Sequence, residues 1–247
     1  MRNTRVTAIA ALHDARERRR QGLHLAEGAR VCSEALTTAE VVELLHDGQH
    51  ADVARIAGPQ VRVTEVSEPV MRRLSDASTP PGIVAVVRTP DVTRPIPATG
   101  ALLVLDGVAD PGNVGTLLRT AAAFGATVVS IDGADPFGPK AVRASAGGCY
   151  RTPVHRLTGA DVSVDALRGA GRVVLGLAAD GERTIAEVAA DIPTAGAVLV
   201  VGSEPTGLRP RVSAAIDVLV RIPMAPGVES LNVAAAGAIA MHAVMPV

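Results

Sequence analysis

Aromatic residues are nearly absent from this sequence, which has one tyrosine, two phenylalanines and no tryptophan in 247 residues. A core built on rings is thereby excluded, and Tyr150, Phe124 and Phe137 are the only candidates for stacking on a nucleic-acid base. Cysteine is almost as scarce. Cys32 and Cys149 lie far apart, with no CxxC pair and no Cys/His cluster, which excludes a disulfide scaffold and argues against a metal site. No apolar run is long enough to span a bilayer without Gly, Pro or charge, and the first twenty residues lack the apolar centre of a signal peptide. A reduced, cytoplasmic protein with no membrane attachment is expected. Surplus charge is missing too: 24 Lys and Arg face 25 Asp and Glu, a net charge of −1, so no global positive field points to nucleic acid. The local exception is RERRR, Arg16 to Arg20, which reads either as a solvated helix face or as a phosphate-contacting patch.

What the chain does have is small and branched apolar residue, with hydrophobics at 48%. A Val, Leu, Ile and Ala core suits a parallel sheet covered by Ala-rich helices. The segment Val87 to Gly100 carries Pro90, Pro95 and Pro97 without apolar periodicity, and reads as a stiff, extended linker. It divides the chain into a small α/β unit over 1–88, a linker over 89–99 and a larger unit over 100–247. In the first unit the pattern predicts an amphipathic helix over 4–20, a strand at GLHLAEG, a helix at ARVCSEALTTA and a second helical stretch from Ala39 to Gly58. A strand at VRVTEVS, a helix N-capped by Ser67 and a strand at GIVAVVR follow. Beyond the linker, ALLVLDGV, TVVSIDG, RVVLGLAAD, GAVLVVGSE and VLVRIPM read as buried strands alternating with helices. That alternation predicts a doubly wound parallel sheet with ligands at the carboxyl ends of its strands.

Three of those strand ends carry unusual loops. ADPGNVGTLLRTAAAFGA leads from strand to helix with Gly112 and Gly115, yet lacks both the G-x-G-x-x-G of a dinucleotide fold and the Lys of a P-loop. Asn113 there is either a helix N-cap or a ligand-facing amide. Arg119, beside the apolar Leu117, Leu118, Ala121 and Ala122, emerges at the helix edge as a surface ion pair or as a functional cation. VLVVGSEPTGL ends a strand at Gly202, Ser203 and Glu204, where a ligand can approach the backbone or Glu204 can simply be solvated. RIPMAPGVESLNVAAAGAIAMH passes from a strand through a Gly-containing loop to Ser230, a candidate N-cap, and carries Asn232 one turn into an apolar helix, where an amide needs a partner.

With all three motifs in order, the sequence resembles the SpoU-type (TrmH-like) RNA ribose 2′-O-methyltransferases of the SPOUT class. The match is close over residues ~101–245, and residues ~20–90 look like that family's small L30e-like RNA-binding domain. The resemblance implies a trefoil-knotted α/β fold, S-adenosylmethionine (SAM) bound in the knot, and a homodimer in which the Arg119 loop nears the partner's SAM site. By position it implies a cofactor pocket of Gly202, Ser203, Ile222, Met224, Leu231 and Val233. The polar set around the ribose would be Asn113, Arg119, Glu204, Ser230 and Asn232. The substrate class it implies is structured RNA, 23S rRNA foremost, with a tRNA ribose methyltransferase or a non-catalytic RNA-binding protein on the same scaffold as alternatives. Phosphate contacts would then be local, through Arg16–Arg20, Arg143 and Arg151. With few rings to stack on bases, the chain is expected to read a folded RNA shape.

Overall fold

The computed structural model describes residues 4–158, 164–203 and 206–245. Its first elements are α1 (Thr4–Ala10), a 3-10 turn (Ala11–His13) and α2 (Ala15–Gln21), where a single helix was expected over 4–20. The break lies at Asp14, whose extended backbone and carboxylate, accepting from the Arg16 and Glu17 amides, start a new helix. Then follow β1 (Leu23–Glu27), α3 (Ala29–Thr38), β2 (Val41–His46), α4 (Ala51–Ala54), β3 (Arg62–Glu65), α5 (Glu68–Leu74) and β4 (Ile83–Arg88). The four strands form one sheet in the order β1-β4-β2-β3, with β4 antiparallel to both its neighbours.

β2 overturns the helical stretch expected from Ala39 to Gly58, of which only α4 is helical. A short apolar run has no decisive period. Here Leu44 and Leu45 are buried on opposite faces of the sheet, against different clusters, and pairing with β4 outweighs the local helical preference. Ser67 precedes α5 as expected, but its side chain makes no capping bond.

The second unit runs β5 (Leu102–Asp106), α6 (Pro111–Ala123), β6 (Thr127–Ile131), α7 (Pro139–Ser145), a 3-10 turn (Gly148–Tyr150) and β7 (Val154–Leu157). It continues with α8 (Val164–Leu167), β8 (Val173–Leu177), β9 (Arg183–Thr184), α9 (Ile185–Ala189), β10 (Ala197–Gly202), α10 (Pro210–Ser213), β11 (Val218–Arg221) and α11 (Val233–Val244). Its seven strands make one sheet, β7-β6-β5-β10-β8-β11-β9, parallel throughout as expected. Alternation explains the uninterrupted apolar strands: Leu103, Leu105, Leu199 and Val201 pack toward α6 and α11, whereas Leu102, Val104, Val198 and Val200 pack with Leu167 and Val212 on the opposite face. The short strands β7 and β9 and the helices α8 to α10 were not anticipated.

Residues 89–99 hold no helix or strand, but they are tied down. Buried Arg172 donates to the carbonyls of Pro97, Thr99, Gly100 and Leu167, and the Arg156 amide donates to Val92. The two sheets also share one apolar cluster, which runs from Ala26, Val31 and Cys32 to Val142 and Cys149. Polar contacts cross at the same place. Arg18, only 7% exposed, pairs with Asp135 at 2.7 Å; the His24 ring bonds to the Tyr150 hydroxyl at 3.0 Å; Arg143 meets Glu27; and Arg151 pairs with Glu34.

These contacts engage several arginines of the expected phosphate patch. Arg18, Arg143 and Arg151 are held by acids, and Arg20 pairs with Glu17, leaving Arg16 and Arg19 exposed within the run. They also remove two rings from any stacking role, because Phe137 and Tyr150 pack on His24 between the sheets, while half-buried Phe124 packs on His242.

Candidate active site

Three parallel strands end side by side at one cavity of about 230 Å³. Leu177, Ala178 and Ala179 follow from β8; Val201, Gly202, Ser203 and Gly207 from β10; Ile222 and Met224 from β11. Ser230, Leu231, Val233 and Ala236 close it from the start of α11. The switch in strand order lies next to β10: β5, β6 and β7 lie to one side, and β8, β11 and β9 to the other. Crevices of this kind at the carboxyl edge are where open α/β sheets take ligands.

Local chemistry shapes the rim. Ser203 and Gly207 exchange backbone hydrogen bonds of 3.1 and 2.8 Å, folding the loop after β10 back on itself. A Cβ on Gly202 would lie 2.3 Å from the Gly207 backbone, so only glycine permits this return. Arg209 anchors the far end of the loop: its amide donates to Asp106 at 2.8 Å, and its guanidinium reaches both Asp106 and Asp132. Hydrogen bonding to Asp132 and Asp106 pushes the Arg209 guanidinium above its ordinary value. Asp106 is completely buried at the end of β5, so this anchor ties the loop directly to the sheet.

All six residues expected around a cofactor, Gly202, Ser203, Ile222, Met224, Leu231 and Val233, line this one cavity. Ser230 lines it too, but does not cap α11. That role falls to Asn232, whose side-chain oxygen accepts from the Ala234 and Ala235 amides at 3.0 and 3.3 Å. Its amide nitrogen donates to the Asn113 side-chain oxygen at 3.0 Å, across 119 residues of chain. Asn113 in turn is not the cap of α6; Asp110 is, accepting from the Asn113 amide at 2.9 Å. The two asparagines therefore join the starts of α6 and α11 at the rim of the cavity.

Arg119 is not with them. Six residues past Asn113, it lies about 240° further around the helix, exposed, with no hydrogen-bond or ion-pair partner among the described residues, and it does not line the cavity. Glu204 lies outside the described residues. Leu177, Ala178, Ala179 and Ala236 line the cavity without having been singled out: the strand before the first three was legible, but the loop after it belongs to none of the three motifs.

The donor set fits S-adenosylmethionine. The lining is apolar and backbone-rich and includes no charged side chain among the described residues, which suits an adenine ring and a thioether-like chain and leaves no cation to repel a sulfonium. Cys32 and Cys149 are unsuited to nucleophilic chemistry, since burial pushes their thiols up to about 12 and about 11. Among the described residues, one group of three side chains, His13, Glu27 and Asp76, has the makings of a metal site, and Arg143 already engages both of its carboxylates.

Residues 100–242 match the SpoU rRNA Methylase family, and residues 3–85 match the MRM3-like substrate binding domain. The 23S rRNA (guanosine(2553)-2′-O)-methyltransferase RlmP of Bacillus subtilis is 30% identical, covering 98% of this chain and 96% of its own. The SpoU methyltransferase AviRb of Streptomyces viridochromogenes, solved in complex with AdoMet, is 28% identical with a TM-score of 0.85, over 99% of this chain and 97% of that one. A TrmH-family RNA methyltransferase structure from Porphyromonas gingivalis, described as putative, is 33% identical with a TM-score of 0.83, over 98% and 97% of the two chains. The cavity at the three strand ends and the matches over nearly the whole chain agree, and the protein belongs to the SpoU rRNA methylase family as an S-adenosylmethionine-dependent RNA methyltransferase.

Proposed function

We propose that this protein methylates the 2′-hydroxyl of a ribose in structured 23S rRNA, working in the cytoplasm as a homodimer. The observation that carries this reading is the union of the apolar cavity with the Asn113–Asn232 bridge at its rim, in a chain similar end to end to a 23S rRNA 2′-O-methyltransferase. Residues 1–88 hold the RNA, 89–99 connect, and 100–247 carry the transfer, with the chain knotted as in the SPOUT class. Gly202, Ser203, Ile222, Met224, Leu231 and Val233 hold S-adenosylmethionine, which supplies a methyl group on a sulfonium.

The chain's own part is to position and to dry the site. Asn113 and Asn232, fixed on each other and on the start of α11, offer amide groups to the ribose or its phosphate, with Ser230 at the cavity and a supporting role for Glu204 as the family resemblance implies. Arg119 stabilises the negative charge that develops on the ribose oxygen as its proton passes to an RNA phosphate or to water. Its guanidinium acts through its positive charge rather than as the proton acceptor. Its distance around α6 from Asn113 favours action on the partner's cavity. Val228, Leu231 and Ile239, 48%, 37% and 44% exposed near the rim and along α11, suit burial against a second copy.

The test is Arg119→Ala, assayed by transfer of labelled methyl groups from S-adenosylmethionine to ribosomal RNA. Because Arg119 is exposed and has no partner within the described chain, folding and cofactor binding are expected to persist while transfer falls about 10²–10³-fold. Transfer at the unaltered rate would remove Arg119 from the chemistry.

A further inference from the structure

Glu27 ends β1 at 2% exposure, an unusual place for a carboxylate. It accepts from the Ser75 hydroxyl at 2.6 Å and from Arg143 at 3.2 Å, and burial raises its pKa above the ordinary carboxylate value. The same Arg143 nitrogen donates to Asp76 at 2.9 Å. One guanidinium from the seven-stranded unit thus grips two segments of the four-stranded unit, the end of β1 and the loop after α5.

What Arg143 is attached to gives the contact its meaning. It lies in the last turn of α7, and α7 packs backbone to backbone on α6: a Cβ on Gly115 would lie 2.4 Å from the Ala141 carbonyl oxygen and 2.9 Å from the Ser145 amide. The 3-10 turn after α7 touches α6 again, since a Cβ on Gly148 would lie 2.6 Å from the Arg119 Cα. Residues 139–150 therefore hold α6 beside Asn113 and at Arg119 with no slack. In a close-packed interior a shift of α7 must carry α6 with it.

We infer that Glu27 and Arg143 are positioning residues for methyl transfer, an ion pair through which the RNA-holding unit sets the register of bound RNA against the helix carrying Asn113 and Arg119. This rests on the proposed RNA 2′-O-methyl transfer. The two bonds from one Arg143 nitrogen to Glu27 and Asp76 fix the place of that contact, which the apolar cluster shared by the two sheets does less well because dispersion contacts carry little directional preference.

The experiment uses the full chain, with Arg143→Met, Glu27→Gln and Arg143→Lys compared with the unaltered protein on ribosomal RNA. The readouts are KM for RNA, kcat, affinity for S-adenosylmethionine, and the position of the methyl group mapped along the RNA. Arg143→Met and Glu27→Gln are expected to raise KM for RNA roughly tenfold and to scatter methyl groups onto neighbouring nucleotides, with kcat and cofactor affinity kept. Arg143→Lys restores both, because a single nitrogen makes both bonds in the native pair. If one uncompensated buried charge prevents folding, the double variant Glu27→Gln/Arg143→Met removes both charges and must show the same KM and scatter. Variants that lower thermal stability but methylate the native nucleotide with unchanged KM would overturn the inference and leave the function standing. No transfer to any RNA by the unaltered protein would overturn the function, and this inference with it.

Discussion

His24 should make the junction between the two sheets sensitive to acid. Its ring is fully buried, with Nδ1 3.0 Å from the Thr89 hydroxyl and Nε2 3.0 Å from the Tyr150 hydroxyl, and it packs on Phe137 and Tyr150. Burial lowers its pKa from 6.5 to about 3; Arg18 adds to the effect, and Asp135 opposes it. The sign follows from proton counting. Below pH 6.5 the unfolded chain protonates His24 while the folded chain does not, so stability is full above 6.5 and is lost as pH falls toward 3.

One proton is worth about 1.4 kcal/mol per pH unit, so this group alone costs about 2.7 kcal/mol between pH 6.5 and about pH 4.5, and about 5 kcal/mol by the end of the window. Carboxylates such as Asp135, held low by Arg18, lose stability in the same direction, so a reference is needed. His24→Gln keeps a donor and an acceptor for Thr89 and Tyr150 but does not titrate. Urea unfolding of both proteins from neutral pH to about pH 4.5, followed by the emission of the single tyrosine, reads this junction directly. The unaltered protein should lose about 2–3 kcal/mol more than the variant over that range. Parallel stability–pH curves would refute the reasoning, showing that His24 is solvated or paired as a cation.

Two further substitutions probe the site itself. Gly202→Ala puts a methyl group where the Gly207 backbone stands 2.3 Å away, so the loop after β10 must open. Calorimetric titration with S-adenosylmethionine should show affinity down by at least about tenfold, or 1.4 kcal/mol, with NAD as a non-binding control. Unchanged affinity would separate that loop from the cofactor. Asn232→Ala removes the cap of α11 and the bond to Asn113; thermal melting should report a loss of about 1 kcal/mol, and methyl transfer should fall by more than that loss alone predicts. A stable variant of full activity would make the Asn113–Asn232 bridge ornamental.

The parts of this protein written locally were legible in its sequence. Buried Val and Leu runs identified β5, β6, β8, β10 and β11, and the family resemblance carried by the three strand-end motifs implied six residues that line one cavity. Such features need only neighbours in sequence: a strand, a turn that demands glycine, a helix start. Distant partners decided the rest. The run Val41 to His46 became β2 because β4 was there to pair with it, and Asp110 and Asn232 took the caps offered to Asn113 and Ser230 because the amides they reach face them. Arg18, Arg143 and Arg151 carry charges that, from sequence, fit an RNA phosphate as well as an acid. Only the folding of residues more than a hundred positions apart against one another gave these three to Asp135, Glu27 and Glu34, while Arg119 was left exposed.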